Sequence, residues 1–161
     1  MRQRTELQQL LAIIDQAYDR RSWHGTNLRG SIRRLSARRA ARRPARGRHN
    51  IWELVVHAAY WKYVVWRRLT GEARGSFPLK GSNWFARTGV ATERAWLSDV
   101  ALLEETHRSL RRAIEALPPG RLHRRNGGGT ETNFSLIAGA AAHDLYHAGQ
   151  IQLIKRLRAK G

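Results

Sequence analysis

The sequence predicts an all-α protein, a four-helix bundle, and three observations carry that prediction. Apolar residues recur at steps of three and four in four long stretches, as one face of a 3.6-residue helix requires. No stretch alternates with the period of two that marks a half-buried strand. The stretches are separated by polar connections holding Gly, Pro, Ser or Asn, the residues that stop helices and turn chains. The 161-residue chain is read as a single helical domain over 1–161, a size that supports one substantial core.

The first segment, 5–35, carries Leu7, Leu11, Ile14 and Tyr18, then Leu28, Ile32 and Leu35. Ser22, Trp23, His24 and Gly25 interrupt it, and Thr26 is read as the N-cap of its second half. The heptad phase carries across that break, so one bent helix is expected. Residues 36–49 form an Arg/Ala/Pro linker in which Ser36 caps a short helical turn. Asn50 and Glu53 have capping-box spacing. They open a second helix over 51–69, stopped by Gly71, with Leu54, His57, Ala58, Trp61, Val64 and Val65 inside.

The connection 71–91 is long enough to be functional or to cross over the bundle. Phe77, Trp84 and Phe85 imply that part of it packs down. The third helix, 92–117, aligns Trp96, Val100, Leu103, His107, Leu110, Ile114 and Leu117, and Pro118, Pro119 and Gly120 end it. A loop with Gly127, Gly128 and Gly129 is expected to be mobile. The fourth helix, 134–157, aligns Leu136, Ala140, His143, His147, Gln150 and Ile154. The short connection between the first two helices points to antiparallel neighbours.

Cysteine is absent, which excludes disulfides, thiolate nucleophiles and zinc ribbons and fits a reducing cytoplasm. No apolar run approaches the ~20 residues that span a bilayer. The run from Leu10 to Ile14, cut by Asp15, is too short for a signal peptide. A cytoplasmic location without membrane association is expected. The formal net charge is +18, and 26 of the 30 basic residues are arginine. Such a charge fits an anionic partner, but arginine bias also follows from a GC-rich coding sequence. A solvated surface is therefore preferred to a dedicated nucleic-acid face, and no helix-turn-helix, RNA-recognition motif or zinc finger is present. Within the densest basic run, Arg29 and Arg33 are four apart on one expected helical face. They are candidates for holding a carboxylate or phosphate.

The histidines carry the chemistry. His143 and His147, four apart, fall on one helical face one turn apart, the geometry of two ligands to one metal. Both stand where the heptad calls for apolar side chains, and a buried polar group without a partner costs a few kcal/mol. His57, in the apolar run of the second helix, offers a third nitrogen; bundle cores build metal sites from facing helices in this way. The alternative is three buried histidines satisfied by hydrogen bonds. Three neutral nitrogens would leave a coordination position open, as in catalytic sites, and suit Zn²⁺, Ni²⁺, Cu²⁺ or Fe²⁺ without choosing among them; zinc or nickel is the first expectation. His107 is read as a core histidine or, less favoured, a further ligand. His24 and Trp23 either line the pocket mouth or form a capping turn with a buried Trp anchor. Asp144 and Gln150 are candidates to orient an imidazole by accepting its second N–H, Asp144 being equally a solvated charge. His49 and His123 fall in basic loops and are expected to be exposed.

The run from Asn50 to His57 (NIWELVVH), followed by the run from His143 to Ile151 (HDLYHAGQI), resembles the DinB/YfiT-like superfamily of metalloenzymes. Trp23 to Ser31 (WHGTNLRGS) is similar to a segment of one branch of it, and the resemblance spans nearly the whole chain in order. It implies a bundle with an up-down-down-up arrangement and one divalent metal on His57, His143 and His147. It also implies frequent homodimers and, in some relatives, transfer or isomerisation with a low-molecular-weight thiol cosubstrate. A metal-dependent enzyme acting on a small-molecule substrate is the first expectation, with thiol transfer preferred to hydrolysis because no separate general base is visible; its catalytic residues stay unassigned. The second is a non-enzymatic basic protein that binds nucleic acid or another polyanion and carries a structural or vestigial metal.

Overall fold

Local capping chemistry sets the helix boundaries in this computed structural model, which describes residues 2–87, 89, 91–126 and 129–157. Gly127 and Gly128, read as part of a mobile loop, and the ends of the expected 1–161 domain lie outside the described residues. Four long helices, α1 (Arg2–Tyr18), α4 (Ile51–Thr70), α5 (Glu93–Glu115) and α6 (Asn133–Leu157), form the molecule together with two short ones, α2 (Leu28–Ser31) and α3 (Ala37–Ala41). A single 3₁₀ turn, Pro119–Arg121, follows α5. The described residues contain no β-strand, only an isolated antiparallel bridge between Arg125 and Thr132.

The expected capping box opens α4. Asn50 Oδ1 accepts from Glu53 N at 2.8 Å and Glu53 Oε2 accepts from Asn50 N at 3.2 Å, so two donors left over at the helix start are satisfied reciprocally. Gly71, at φ 82°, closes the helix in the left-handed conformation that glycine adopts without a Cβ clash. Ser36 caps α3 by accepting from Arg39 N, and Thr92 caps α5 by accepting from Ala95 N.

The expected bent helix over 5–35 is not formed. α1 stops at Tyr18, and α2 is a single turn. Its cap is Asn27, not Thr26: Asn27 Oδ1 accepts from Gly30 N at 2.8 Å while its amide donates to Arg20 O. A Cβ at residue 30 would stand 2.8 Å from that same Asn27 oxygen, so glycine makes this cap fit. The chain then leaves the helix through Arg34 at φ 58°. Arg33 therefore lies outside α2 and shares no helical face with Arg29.

α4 packs on α5 and α6, and α1 packs on α6 and α5. Trp52 Nε1 donates to Asp99 Oδ2 at 2.6 Å, and the Trp52 and Trp96 rings meet edge to face. Arg111 holds Asp15 at 2.8 Å, while Tyr18 stacks on His107. The apolar core divides into two clusters, one around Val55, Leu103 and Ile151, the other around Ile14, Leu110 and Ile137. Along α4, α5 and α6 the division falls at Lys62, His107 and Asp144, all buried. A thin polar layer thus separates two apolar halves. On α6 the buried arc is Ile137, Ala140, Ala141, Asp144, His147, Ala148, Ile151 and Ile154. Leu136, His143 and Gln150, expected in the centre of that stripe, are half-buried at its margin, because α1 and α4 pack on two sides of α6 and widen the buried arc.

Candidate metal centre

His57 projects from the middle of α4, and His143 and His147 from successive turns of α6. Their Nε2 atoms converge: His143 Nε2 lies 3.2 Å from His57 Nε2 and 3.0 Å from His147 Nε2. Nitrogens bound at 2.0–2.1 Å to a tetrahedral ion stand roughly 3.3 Å apart, so the spacing is close to that of three ligands to one metal. His57 and His147 are buried and His143 is half-buried. The three side chains form a group able to hold a metal ion.

The outer nitrogens of two rings are already engaged. His57 Nδ1–H donates to the Asn83 carbonyl at 2.8 Å, and His147 Nδ1–H donates to Gln150 Oε1 at 2.7 Å. Each neutral ring then carries its lone pair on Nε2, pointing inward. Burial keeps the rings neutral. His143 is pushed down to about 3 by burial, with help from His147, His57 and Lys62. His147 is pushed down to about 4 by burial, against the hydrogen bond to Gln150. His57 is lowered by burial, against the hydrogen bond to Asn83. His143 Nε2–H can satisfy one inward lone pair but not both. A divalent cation satisfies all three nitrogens together, so the residues fit the group.

The long connection supplies a cover. Trp84 stacks on His57 at 3.8 Å between ring centroids and 8° between planes, and His49 stacks on the Trp84 ring at 3.6 Å. His49 is in turn held by Glu53 at 3.1 Å, so the cap of α4 braces the cover. Trp61 stands beside the centre, its ring 6.3 Å from those of both His57 and His143, with Nε1 donating to Asn83 Oδ1 at 2.9 Å. A pocket of about 230 Å³ opens against His143; Trp61, Val64, Val65, Leu136 and Ala140 give it an apolar side, and Lys62, Arg68, Glu131 and Asp144 also line it.

The remaining candidates are placed elsewhere. Gln150 sits where an imidazole-orienting residue belongs. Asp144 neither orients an imidazole nor faces water: it is buried against the Lys62 ammonium, because its register on α6 points into the bundle. His107 is stacked on Tyr18 at 3.6 Å and stands apart from the three-histidine group; its buried Nδ1 has no hydrogen-bond partner among the described residues. Trp23 is 95% exposed and anchors nothing in the core. His24 Nδ1 lies 3.4 Å from the Ser22 hydroxyl in an exposed turn, and neither residue lines the pocket beside His143. Arg29 is held by Glu104 at 2.6 Å and Arg33 is exposed. His123 lies at the surface on Glu6.

Sequence reasoning missed Asn83, Trp84 and Lys62. Aromatic residues in a long connection signalled packing, but a backbone carbonyl such as that of Asn83 leaves no trace in residue type. Lys62 and Asp144, opposite charges within apolar helical runs, were a legible pair that went unread.

The family model described as the DinB superfamily matches residues 20–151. No curated protein and no solved structure matches the chain.

Proposed function

The chain belongs to the DinB superfamily, and on that premise we propose that it is a metal-dependent enzyme in which His57, His143 and His147 hold one divalent ion, zinc or nickel, beside a site where a low-molecular-weight thiol is joined to a small-molecule acceptor. The observation that carries this is the convergence of three Nε2 atoms with two Nδ1 protons already given to Asn83 and Gln150. A divalent ion held by His57, His143 and His147 would supply an open Lewis-acidic position that lowers the pKa of a thiol toward neutrality.

The chain's own residues do the positioning. Asn83 and Gln150 keep the inward lone pairs of His57 and His147 turned to one point. Trp84 covers the His57 face. The apolar wall of the pocket beside His143 receives an apolar acceptor and keeps water from it. Asp144, next to His143 in sequence, is held by Lys62 through Oδ2.

The four long helices are read as up-down-down-up. In support, Trp52 meets Trp96 and Asp99 near the starts of α4 and α5. Asp15 with Arg111 and Tyr18 with His107 pair α1 to α5 in opposite order. His57 with His147 and Lys62 with Asp144 do the same for α4 and α6. The chain is also read as a homodimer formed through α6, whose outer face runs Gly139, Ala142, Tyr146, Gly149 and Leu153, exposed and uncharged in a chain of net charge +18. A reducing cytoplasm, where free thiols persist, is the matching compartment.

Elemental analysis of the purified chain tests the centre: close to one equivalent of zinc or nickel is expected, and none in His57→Ala or His147→Ala. A cobalt-substituted sample titrated with a thiol is expected to gain a sulfur-to-metal charge-transfer band. A metal-free wild type removes the whole proposal; a metal-loaded protein without the band removes the thiol.

A further inference from the structure

A second concavity lies on the other side of Trp61. It encloses about 550 Å³ against the C-terminal half of α4 and the start of the long connection. Arg67, Arg68, Arg74 and Lys80 line it, and no carboxylate does. This is unlike the arginines elsewhere that meet acids, such as Arg29 with Glu104, Arg43 with Glu53 and Arg111 with Asp15. Among the described residues none of Arg68, Arg74 and Lys80 has a carboxylate partner. Arg67 donates to the Glu72 carbonyl at 3.3 Å. Arg67 and Arg68 also complement the helix dipole at the end of α4, but Arg74 and Lys80 belong to the connection, and the dipole does not account for them. Arg68, Arg74 and Lys80 are exposed, and Glu72 and Glu131 line not this concavity but the adjoining one that Arg67, Arg68 and Arg74 also border, so the wall of this one carries an excess of positive charge that suits an anion.

The rest of the wall is aromatic. Trp61, Tyr63 and Phe77 face the same space. Trp61 is also the residue beside His57 and His143. A ligand lying along it would have its charged end on the arginines and its other end near the histidine centre.

We propose that this concavity binds a small polyanion carrying a flat ring, of the chemical class to which nucleoside diphosphates belong. The anionic groups sit on Arg68, Arg74 and Lys80, and the ring packs on Trp61 and Phe77. That this ligand takes part in the reaction at the histidines rests on the proposed function; that it binds does not.

The test is calorimetric titration of the full chain at physiological salt with ADP, adenosine, inorganic pyrophosphate and 1,5-naphthalenedisulfonate. ADP and the disulfonate are expected to bind with one site each, and adenosine and pyrophosphate about tenfold more weakly or worse, since each has only half of the recognised chemistry. Arg68→Glu with Arg74→Glu is expected to weaken ADP at least about tenfold. Arg38→Glu with Arg94→Glu, an equal charge change at exposed positions outside the concavity, is expected to leave it nearly unchanged. If the double variant at 68 and 74 does not melt cooperatively, Lys80→Glu is judged by the same criterion. Equal loss in the two double variants would reduce the effect to net charge and overturn the proposal. Pyrophosphate binding as tightly as ADP would overturn the ring, and binding of ADP but not the disulfonate would narrow the class to phosphates. His57→Ala separates the two inferences: loss of metal with ADP binding retained is the expected result. ADP binding indifferent to Arg68, Arg74 and Lys80 in a metal-loaded protein would remove this site and leave the metal centre standing.

Discussion

Lys62 and Asp144 meet in the middle of the molecule, both almost wholly buried, with the ammonium also 4.9 Å above the Tyr18 ring. Burial pushes the Asp144 carboxyl up, against the pull of Lys62. Replacing one partner strands the other charge in the core, whereas replacing both with apolar groups does not. Lys62→Met is therefore expected to destabilise the fold by about 3–5 kcal/mol. Lys62→Met combined with Asp144→Leu is expected to recover most of that, as urea midpoints would reveal. His107 sets a second expectation. Burial, assisted by Lys62 and Arg111, pushes it down to about 3 from the usual 6.5. Below pH 6.5 the unfolded chain takes a proton that the folded chain refuses, so stability is constant above that pH and falls as pH drops from 6.5 toward 3. The slope approaches about 1.4 kcal/mol per pH unit for each such histidine. His107→Phe keeps the stacking on Tyr18, removes the unpartnered Nδ1 and should flatten the fall; melting curves from pH 7 to 5 check this.

At the scale of elements, the connection between α4 and α5 is part of the site. Asn83 holds the His57 proton with its carbonyl and Trp61 with its side chain, while Trp84 lies flat on His57. Trp84 is itself 37% exposed, so its removal leaves no large core cavity. Trp84→Ala gives up two ring stacks of about 0.5–1.5 kcal/mol each, so it should lower the melting temperature modestly while losing metal much faster to a chelator. A large drop in melting temperature with unchanged metal release would show that the cover serves the fold instead. The helix termini were legible in the chain because caps are local: Asn50 with Glu53, Ser36, Thr92 and Gly71 act within a few residues of themselves. The failure at residues 19–35 has the same root. The heptad phase continued through the break, but the Asn27 amide bound to Arg20 O and Gly30 N and turned the chain instead.

For the whole molecule, α6 carries the information. Its inner side holds the histidines and Asp144, and its outer side exposes Tyr146, Leu153 and Leu157 to between 58% and 63%. A helix apolar on nearly all sides is one that is covered on nearly all sides. In the proposed homodimer, Leu153→Arg is expected to give a monomer in sedimentation velocity without changing the circular dichroism spectrum. A wild-type chain that sediments as a monomer at high micromolar concentration ends the dimer reading.

Periodicity, capping residues and the four-residue step between His143 and His147 are properties of neighbours in the chain, so the sequence alone determined α4, α5 and α6, the caps of α4 and α5 and the shared face of the α6 histidines, but not the end of α1 at Tyr18. What brings residue 57 within 3.2 Å of residue 143, seats Asn83 and Trp84 on the first of them and buries Lys62 against Asp144 is contact between elements far apart in sequence. Only the tertiary structure decided these, because which sides of a helix are buried depends on how many neighbours pack on it. α6 has two long ones, and its buried arc is accordingly wider than a single heptad stripe.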